Sequence, residues 1–429
     1  LATQRPRVDR FIAPRASLPE ICRRMSWSAR YKKYDGEIWS SKYLRQKRYI
    51  KFLDEAFSLA PLRVQQCKAS EPYGDWSWPC TPRKKSYLST ADNVLDLPTY
   101  SAAPFPDLLD WSTDDILVAA LGKSYHKWSW RTQNAVAQGF TMFNIHCCKF
   151  DHTGQLLLIA TDMRVEIHDE LSKCQFVQYC KCNVALCTIT AIDWSPTGKS
   201  FVTGCSRGRI CAMNQISYPI KSMSLLKGPA LVVRISPNAR YVAVAGFLSD
   251  TVWVLSWPDL EQFRFLRTYK TVKDLTWHPW QTALLSVAIL SSDNHSGLII
   301  WEPNGEKLRQ EEVGRGCYSI DAMRFNHRTG ELLLSLWCLD VPRPKCSELV
   351  VMSDFDTVVD HWGEGRAGLN RVRTMVFSPD GTKLSTATAD EDLIIWNFLP
   401  SDYKKNTIRR KFTGLPQFLD VWSNGFTIR

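Results

Sequence analysis

The chain lacks any long hydrophobic run. Its longest, near Leu284–Leu290, is far too short to cross a bilayer as a helix, and no secretory signal is visible. No membrane partner is expected. Its 14 cysteines show no disulfide-framework spacing, which points to a reducing, intracellular setting: the cytoplasm, with the nucleus as a second location. No Cys-x2-Cys pair is matched by a second such pair. His146-Cys147-Cys148 and Cys180-Lys181-Cys182 are therefore read as small strand residues rather than zinc ligands, and neither metal nor cofactor is expected. Glycine-rich loops of Walker or Rossmann spacing are missing, and so is any suggestive Ser/His/Asp set. These absences argue against nucleotide chemistry and hydrolysis, and the chain is read as no enzyme.

Excess charge is also missing from most of the chain. Residues 1–90 hold 19 Lys/Arg against 8 Asp/Glu, so the whole formal excess of +11 sits there, and the remainder is balanced. A basic stretch with Pro6, Pro14, Pro19, Pro61, Pro72, Pro79 and Pro82 reads as a largely disordered interaction arm, residues 1–93. Within it, Ile38, Tyr43, Leu44, Ile50, Leu53 and Phe57 could stripe one face of a short helix over 37–57.

What the chain has in abundance is a repeat. A short apolar strand ends at Trp111, Phe150, Trp194, Ile235, Trp277, Phe325 and Phe377, followed each time by a turn and a second apolar strand. The intervals are 39, 44, 41, 42, 48 and 52 residues. A period near forty with four short strands per unit predicts an all-β, seven-bladed WD40 β-propeller over residues 94–400, with a C-terminal tail, 401–429. Ser195-Pro196-Thr197-Gly198 and Ser378-Pro379-Asp380-Gly381 carry turn chemistry. The Trp-Asp ending of such repeats survives in altered form as His168-Asp169, Met213-Asn214, Trp301-Glu302 and Trp396-Asn397. Val94–Leu97 is expected to complete the last blade beside Leu393–Trp396, which removes an exposed sheet edge. Deletion through residue 98 should then cause aggregation, whereas deletion of 1–90 alone should not.

Four places resemble one family. Asp9-Arg10-Phe11-Ile12-Ala13-Pro14-Arg15 is similar to the C-box of the Fizzy family, the WD40 activators of the anaphase-promoting complex. Lys84–Pro98 followed by Leu108-Leu109-Asp110-Trp111-Ser112 resembles that family's entry into its propeller. Trp277–Gln281 and Ser378–Trp396 resemble its fifth and seventh blades, and Ile428-Arg429 its Ile-Arg tail. The similarity runs in order along nearly the whole chain. Departures mark a divergent member, akin to an insect branch tied to female meiosis. The C-box proline is displaced by one, and Ala245–Asp250 lacks the family's Asn-rich turn.

The resemblance implies an adaptor. Asp9, Arg10, Phe11, Ile12 and Arg15 would dock on ligase subunits, with Ile428 and Arg429 as the second anchor. Asp110 and Glu391 would pair with the arginine of a destruction-box degron, in a groove between the first and last blades. Arg371 would contact Lys-Glu-Asn degrons. The expected partners are anaphase-promoting complex subunits and degron-bearing substrates such as cyclins. The rival reading is a propeller scaffold whose basic arm binds nucleic acid, with Trp27, Tyr31, Tyr34, Trp39, Tyr43 and Tyr49 available for stacking. Nucleic acid is the less favoured partner, because the family pattern accounts for more of the chain.

Overall fold

Each repeat folds as a four-stranded antiparallel sheet, and seven such sheets make up the seven-bladed β-propeller. The computed structural model describes residues 65–67, 77–88, 91–98, 107–182, 187–216, 218–305, 308–313, 318–339, 347–355, 357–363 and 369–400. The C-box-like run, the 37–57 stripe and the Ile428-Arg429 pair lie outside them. The first strands of blades 1 to 7 are Leu109–Trp111, Ile145–Phe150, Ile189–Trp194, Ala230–Ile235, Thr271–Trp277, Tyr318–Phe325 and Val372–Phe377. All seven end on the residue that marks the period in the sequence.

Two compact units are present. One holds blades 2 to 4 with residues 65–67; the other holds blades 1, 5, 6 and 7 with residues 77–98. In the first unit, Ala191, Val202, Val233, Val242, Leu255 and Trp257 form a core shared by blades 3 and 4. In the second, Leu284 and Ile300 of blade 5 pack with Met323, Leu332 and Leu334 of blade 6. Second strands such as Ser200–Cys205 and Tyr241–Gly246 are buried throughout, because both of their faces are covered. They read as continuous apolar runs rather than as alternation.

The turns after the first strands share one device. Gly198 donates its N–H to the Ser195 carbonyl, and Gly381 donates to Ser378, each at 2.8 Å. Both glycines are left-handed, with φ of +70° and +69°, a conformation that costs glycine little. The preceding prolines fix the entry to the same turns.

Blade 7 takes its fourth strand from the other end of the chain. Ala91–Asp96 runs antiparallel to Asp392–Asn397, pairing Val94 with Ile394 and Asp96 with Asp392. The pairing is the one expected, although the strand begins three residues earlier than Val94. Lys383 Nζ adds an ion pair to Asp92 at 2.6 Å. A further strand, Gln65–Cys67, lies parallel to Gln262–Arg267 and gives blade 4 a fifth member that the reading of 1–93 as an arm did not foresee.

The boundary at residue 93 needs correction. Residues 77–88 are not part of a loose arm but a strap across blades 5 to 7. Trp78 is buried in the core of blades 5 and 6 and donates its indole N–H to Gly330 O at 3.1 Å. Leu88 is buried with Met375, Leu384 and Trp396 of blade 7. Between them the Arg83 side chain has no exposed surface. Its Nη2 meets Glu331 Oε2 and its Nη1 meets Asp360 Oδ2, both at 2.7 Å. Nη1 also donates to Phe398 O at 3.1 Å, and the guanidinium lies 4.0 Å from the Phe398 ring centroid. The apolar and ionic anchors are spaced without helical or strand period, so the stretch looked like loop.

His278 pins the same strap. Its Nε2–H donates to Pro79 O at 2.8 Å, while Nδ1 accepts the Gln281 N–H at 3.0 Å. Burial drives its pKa down to about 4, although the Pro79 carbonyl favours the proton. Burial would raise Asp360, but hydrogen bonds from Ser86, Tyr87 and Leu88 and the charge of Arg83 hold it below the ordinary carboxyl value.

Two outcomes follow. Arg83→Ala strands two buried carboxylates and should cost about 3–5 kcal/mol in urea unfolding. A chain starting at Ser77 should keep the second unit's cooperative transition, while one starting at Ala91 should lose it, which reverses the expectation that deletion of 1–90 alone is harmless. The second outcome concerns pH. The unfolded histidine binds its proton near 6.5 and the folded one only near 4, so the unfolded state holds more protons in between. Stability should fall as pH drops from about 6.5 towards 4. The Asp360 contribution, present above the unfolded carboxyl value near 3.9, should be lost only below that window. The urea midpoint of the native chain against pH, compared with His278→Asn, separates the two: the upper slope should flatten in the variant.

Candidate functional site

The three sequence-derived degron residues among the described residues fall on blades 1 and 7, whose first strands lie against each other. Asp110 is half-buried in Leu109–Trp111, paired with Val118. Its place in blade 1 is the one Val376 holds in blade 7, one residue before the strand-ending aromatic. Glu391 is exposed, in the turn between the second and third strands of blade 7. Its φ is +70°, and its carbonyl accepts the Leu97 N–H at 2.6 Å. The closing strand therefore also fixes the turn that carries Glu391. Arg371 precedes the first strand of blade 7, and its carbonyl accepts the Ala389 N–H at 2.8 Å. The hairpin thus brings Arg371 and Glu391 to one end of blade 7. Asp110 sits on the neighbouring blade, beside the turn that follows its own strand and so at the opposite end from Glu391; the expectation that the two carboxylates pair with one degron arginine is not met.

Arg371 is part of a charged group that the sequence reading missed. Its Nη2 donates to Asp321 Oδ1 at 2.9 Å, and Nε pairs with Asp321 Oδ2. The guanidinium lies 5.7 Å from the Trp337 ring centroid, within cation–π range. Asp321 also accepts the Ser319 hydroxyl at 3.0 Å. Lys273 of blade 5 completes the set. Burial lowers its pKa, the Arg371 charge lowers it further, and only Asp321 opposes them. One carboxylate thus balances two cations at the starts of the first strands of blades 5, 6 and 7. Such a surface suits short polar or acidic peptide segments. The signal was present: Lys273 and Asp321 each stand four residues before the strand-ending aromatic.

Among the described residues, two clusters bring possible metal ligands together. In the first, Glu166, His168 and Cys174 converge, but Arg164 Nη2 already pairs with Glu166 Oε1 at 2.6 Å and His168 Nε2 lies 2.9 Å from Glu166 Oε2. A cation there would face a resident guanidinium. The second comprises Cys180, Cys182, Cys187 and Cys205, two of which the sequence reading set aside as strand residues; Cys180 and Cys182 in fact follow the last strand of blade 2.

Comparison with known proteins agrees with this architecture. The WD domain, G-beta repeat, matches residues 176–211 and 364–397. The chain is 74% identical to Protein cortex of Biston betularia over 432 residues, covering 100% of this chain and 98% of that protein. It is 24% identical to Protein FIZZY-RELATED 3 of Arabidopsis thaliana over 365 residues, 81% of this chain and 68% of that one. Among solved structures, a chain in the crystal structure of the mitotic checkpoint complex matches with a TM-score of 0.61 at 19% identity. That match covers 72% of this chain and 95% of the other, and it bears on the fold.

The charged group makes its own prediction. Asp321→Ala removes the carboxylate between Lys273 and Arg371 and should cost about 1–3 kcal/mol in denaturant unfolding. Arg371→Ala made in the same chain should recover part of that loss. Strictly additive losses in the double-mutant cycle would contradict the coupling.

Proposed function

The chain belongs to the cortex proteins, a divergent branch of the Fizzy family of WD40 propellers, and on that premise we propose that it is a substrate-recruiting activator of the anaphase-promoting complex. It performs no chemistry itself. The arm and tail hold the ligase, and the propeller holds the substrate by short linear degrons. The substrates are cell-cycle regulators, cyclins and meiotic regulators among them.

The observation that carries this reading is the run Asp9–Arg15 ahead of a propeller whose first and last blades bear the two acidic positions of the family. Arg10 and Arg15 offer forked donors for carboxylates, and Phe11 and Ile12 supply apolar anchors. Ile428 and Arg429 give the same chemistry at a second point. On the propeller, Asp110 and Glu391 mark the seam between blades 1 and 7. An extended degron laid along that seam would meet the two carboxylates at separate points, with its arginine paired to one of them. Arg371, held by Asp321 over Trp337, is the contact for a Lys-Glu-Asn segment.

Replacing Arg10 and Arg15 together by Ala, or removing Ile428-Arg429, should sharply reduce co-purification of ligase subunits while unfolding of the propeller stays unchanged. Loss of a central anchor costs about 2 kcal/mol or more. Asp110→Ala and Glu391→Ala should each weaken a fluorescent destruction-box peptide about tenfold, the scale of a lost charge-assisted hydrogen bond. Undiminished ligase capture by the altered arm would sink the docking proposal. Unchanged peptide affinity in both propeller variants would move substrate reading elsewhere.

A further inference from the structure

Four cysteines that no sequence motif groups together meet in the first compact unit. Cys180 and Cys182 follow the fourth strand of blade 2, Cys174–Tyr179. Cys187 lies just before the first strand of blade 3, and Cys205 closes the second strand of that blade, Ser200–Cys205. The four sulfurs all lie within 4.8 Å of one another. Cys180 and Cys187 are 3.7 Å apart. A bonded pair would be at about 2.05 Å, so this is not disulfide geometry. Four thiolates around a tetrahedral zinc, with Zn–S near 2.3 Å, stand about 3.8 Å apart.

The surroundings suit a thiolate site. Cys187 and Cys205 are buried and the other two half-buried, so the cluster is sheltered from solvent. The backbone N–H groups of Arg207 and Arg209 hydrogen-bond to the Cys205 sulfur. The Ser206 hydroxyl lies 3.8 Å from the Cys187 sulfur and accepts the Thr188 N–H at 3.1 Å. Such outer contacts orient ligands in thiolate metal sites. A zinc held by four thiolates carries a net charge of about −2. Lys181, between the first two ligands, and Arg207 and Arg209, just after the last, supply compensating charge. Only soft-metal chemistry fits a set with no oxygen or nitrogen donor.

We propose that Cys180, Cys182, Cys187 and Cys205 bind one structural zinc ion that ties the connection between blades 2 and 3 to the turn after the second strand of blade 3. Binding releases the thiol protons and involves no change of oxidation state. All four positions are filled by protein, so the ion is structural rather than catalytic. The spacing, one residue, then four, then seventeen, differs from the paired motifs by which such sites are recognised in sequence. The end of the second strand of blade 3 supplies the fourth ligand, and only the fold brings it near.

The test uses the full chain, purified under reducing conditions from zinc-supplemented medium. Elemental analysis should give about one zinc per chain. After metal removal, titration with cobalt(II) should produce thiolate-to-metal charge-transfer bands and the intense d–d bands of a tetrahedral sulfur site, abolished by added zinc. Cys180→Ser combined with Cys205→Ser should reduce bound zinc to background, whereas Cys174→Ser and Cys338→Ser should leave it unchanged. Cys182→His should keep cobalt binding with shifted d–d bands, an outcome that a merely packed cysteine would not give. The proposal is overturned if the native chain shows no tetrahedral cobalt spectrum while its thiols react freely. It is equally overturned if the zinc persists in the Cys180/Cys205 double variant, or if peptide mapping finds these cysteines joined as disulfides. Because the cobalt titration reads the unaltered chain, a variant that fails to fold does not rescue the idea.

Discussion

One guanidinium organises the second unit. Arg83 sits where no water reaches it, between Glu331 and Asp360 of blade 6 and the Phe398 ring that follows blade 7. A charge in that position is tolerated only when its donors and the carboxylate lone pairs are met by protein. They are met here. Glu331 also accepts the Arg83 N–H and the Thr329 hydroxyl, while Asp360 accepts Ser86, Tyr87 and Leu88. The network acts as a lock because its members come from three stretches of chain, and removing any one leaves the others stranded in a low-dielectric interior.

That lock has a downstream effect on the candidate site. The strap it fixes runs on into Ala91–Asp96, which seals blade 7. The residue after that strand, Leu97, donates to the Glu391 carbonyl and so holds the left-handed turn on which Glu391 is displayed. The Arg371 carbonyl is bound to the same turn through Ala389. A buried ion pair on one part of the molecule thus helps to set surface groups on another, through a continuous run of backbone hydrogen bonds rather than through any change of shape.

The sequence was most legible where physics is periodic. Every strand-ending aromatic or isoleucine marked the end of a first strand, because those positions recur with the blade and must fill equivalent core sites. The pairing of Val94 with the strand of Ile394 was legible because an open sheet edge needs a partner. The strap was not, since Trp78, Arg83 and Leu88 are spaced irregularly in a proline-containing stretch, and the hydrogen-bond partners of Trp78 and Arg83 lie 252 to 315 residues away. The Lys273–Asp321–Arg371 group was only half legible. Arg371 was singled out through family resemblance, but its carboxylate partner lies on another blade, and single-strand patterns do not report on neighbours. The convergence of the four cysteines was not legible for a related reason: local spacing was the criterion, and the fourth sulfur arrives from a different strand.

The closing strand also sets a schedule. Asp92 and Asn397 meet across 305 positions, so the sheet that seals blade 7 joins a strand made early to the last described strand. During synthesis, Ala91–Asp96 leaves the ribosome long before Asp392–Asn397 exists. For that whole interval its polar edge has no native counterpart. Bringing ends so far apart together costs about 5 kcal/mol of chain entropy, incurred before the seam contributes anything. Topologies of this kind fold slowly and expose sticky intermediates. The newborn chain therefore has a built-in need for shelter, from a chaperone or from an early binding partner, until its final blade is complete.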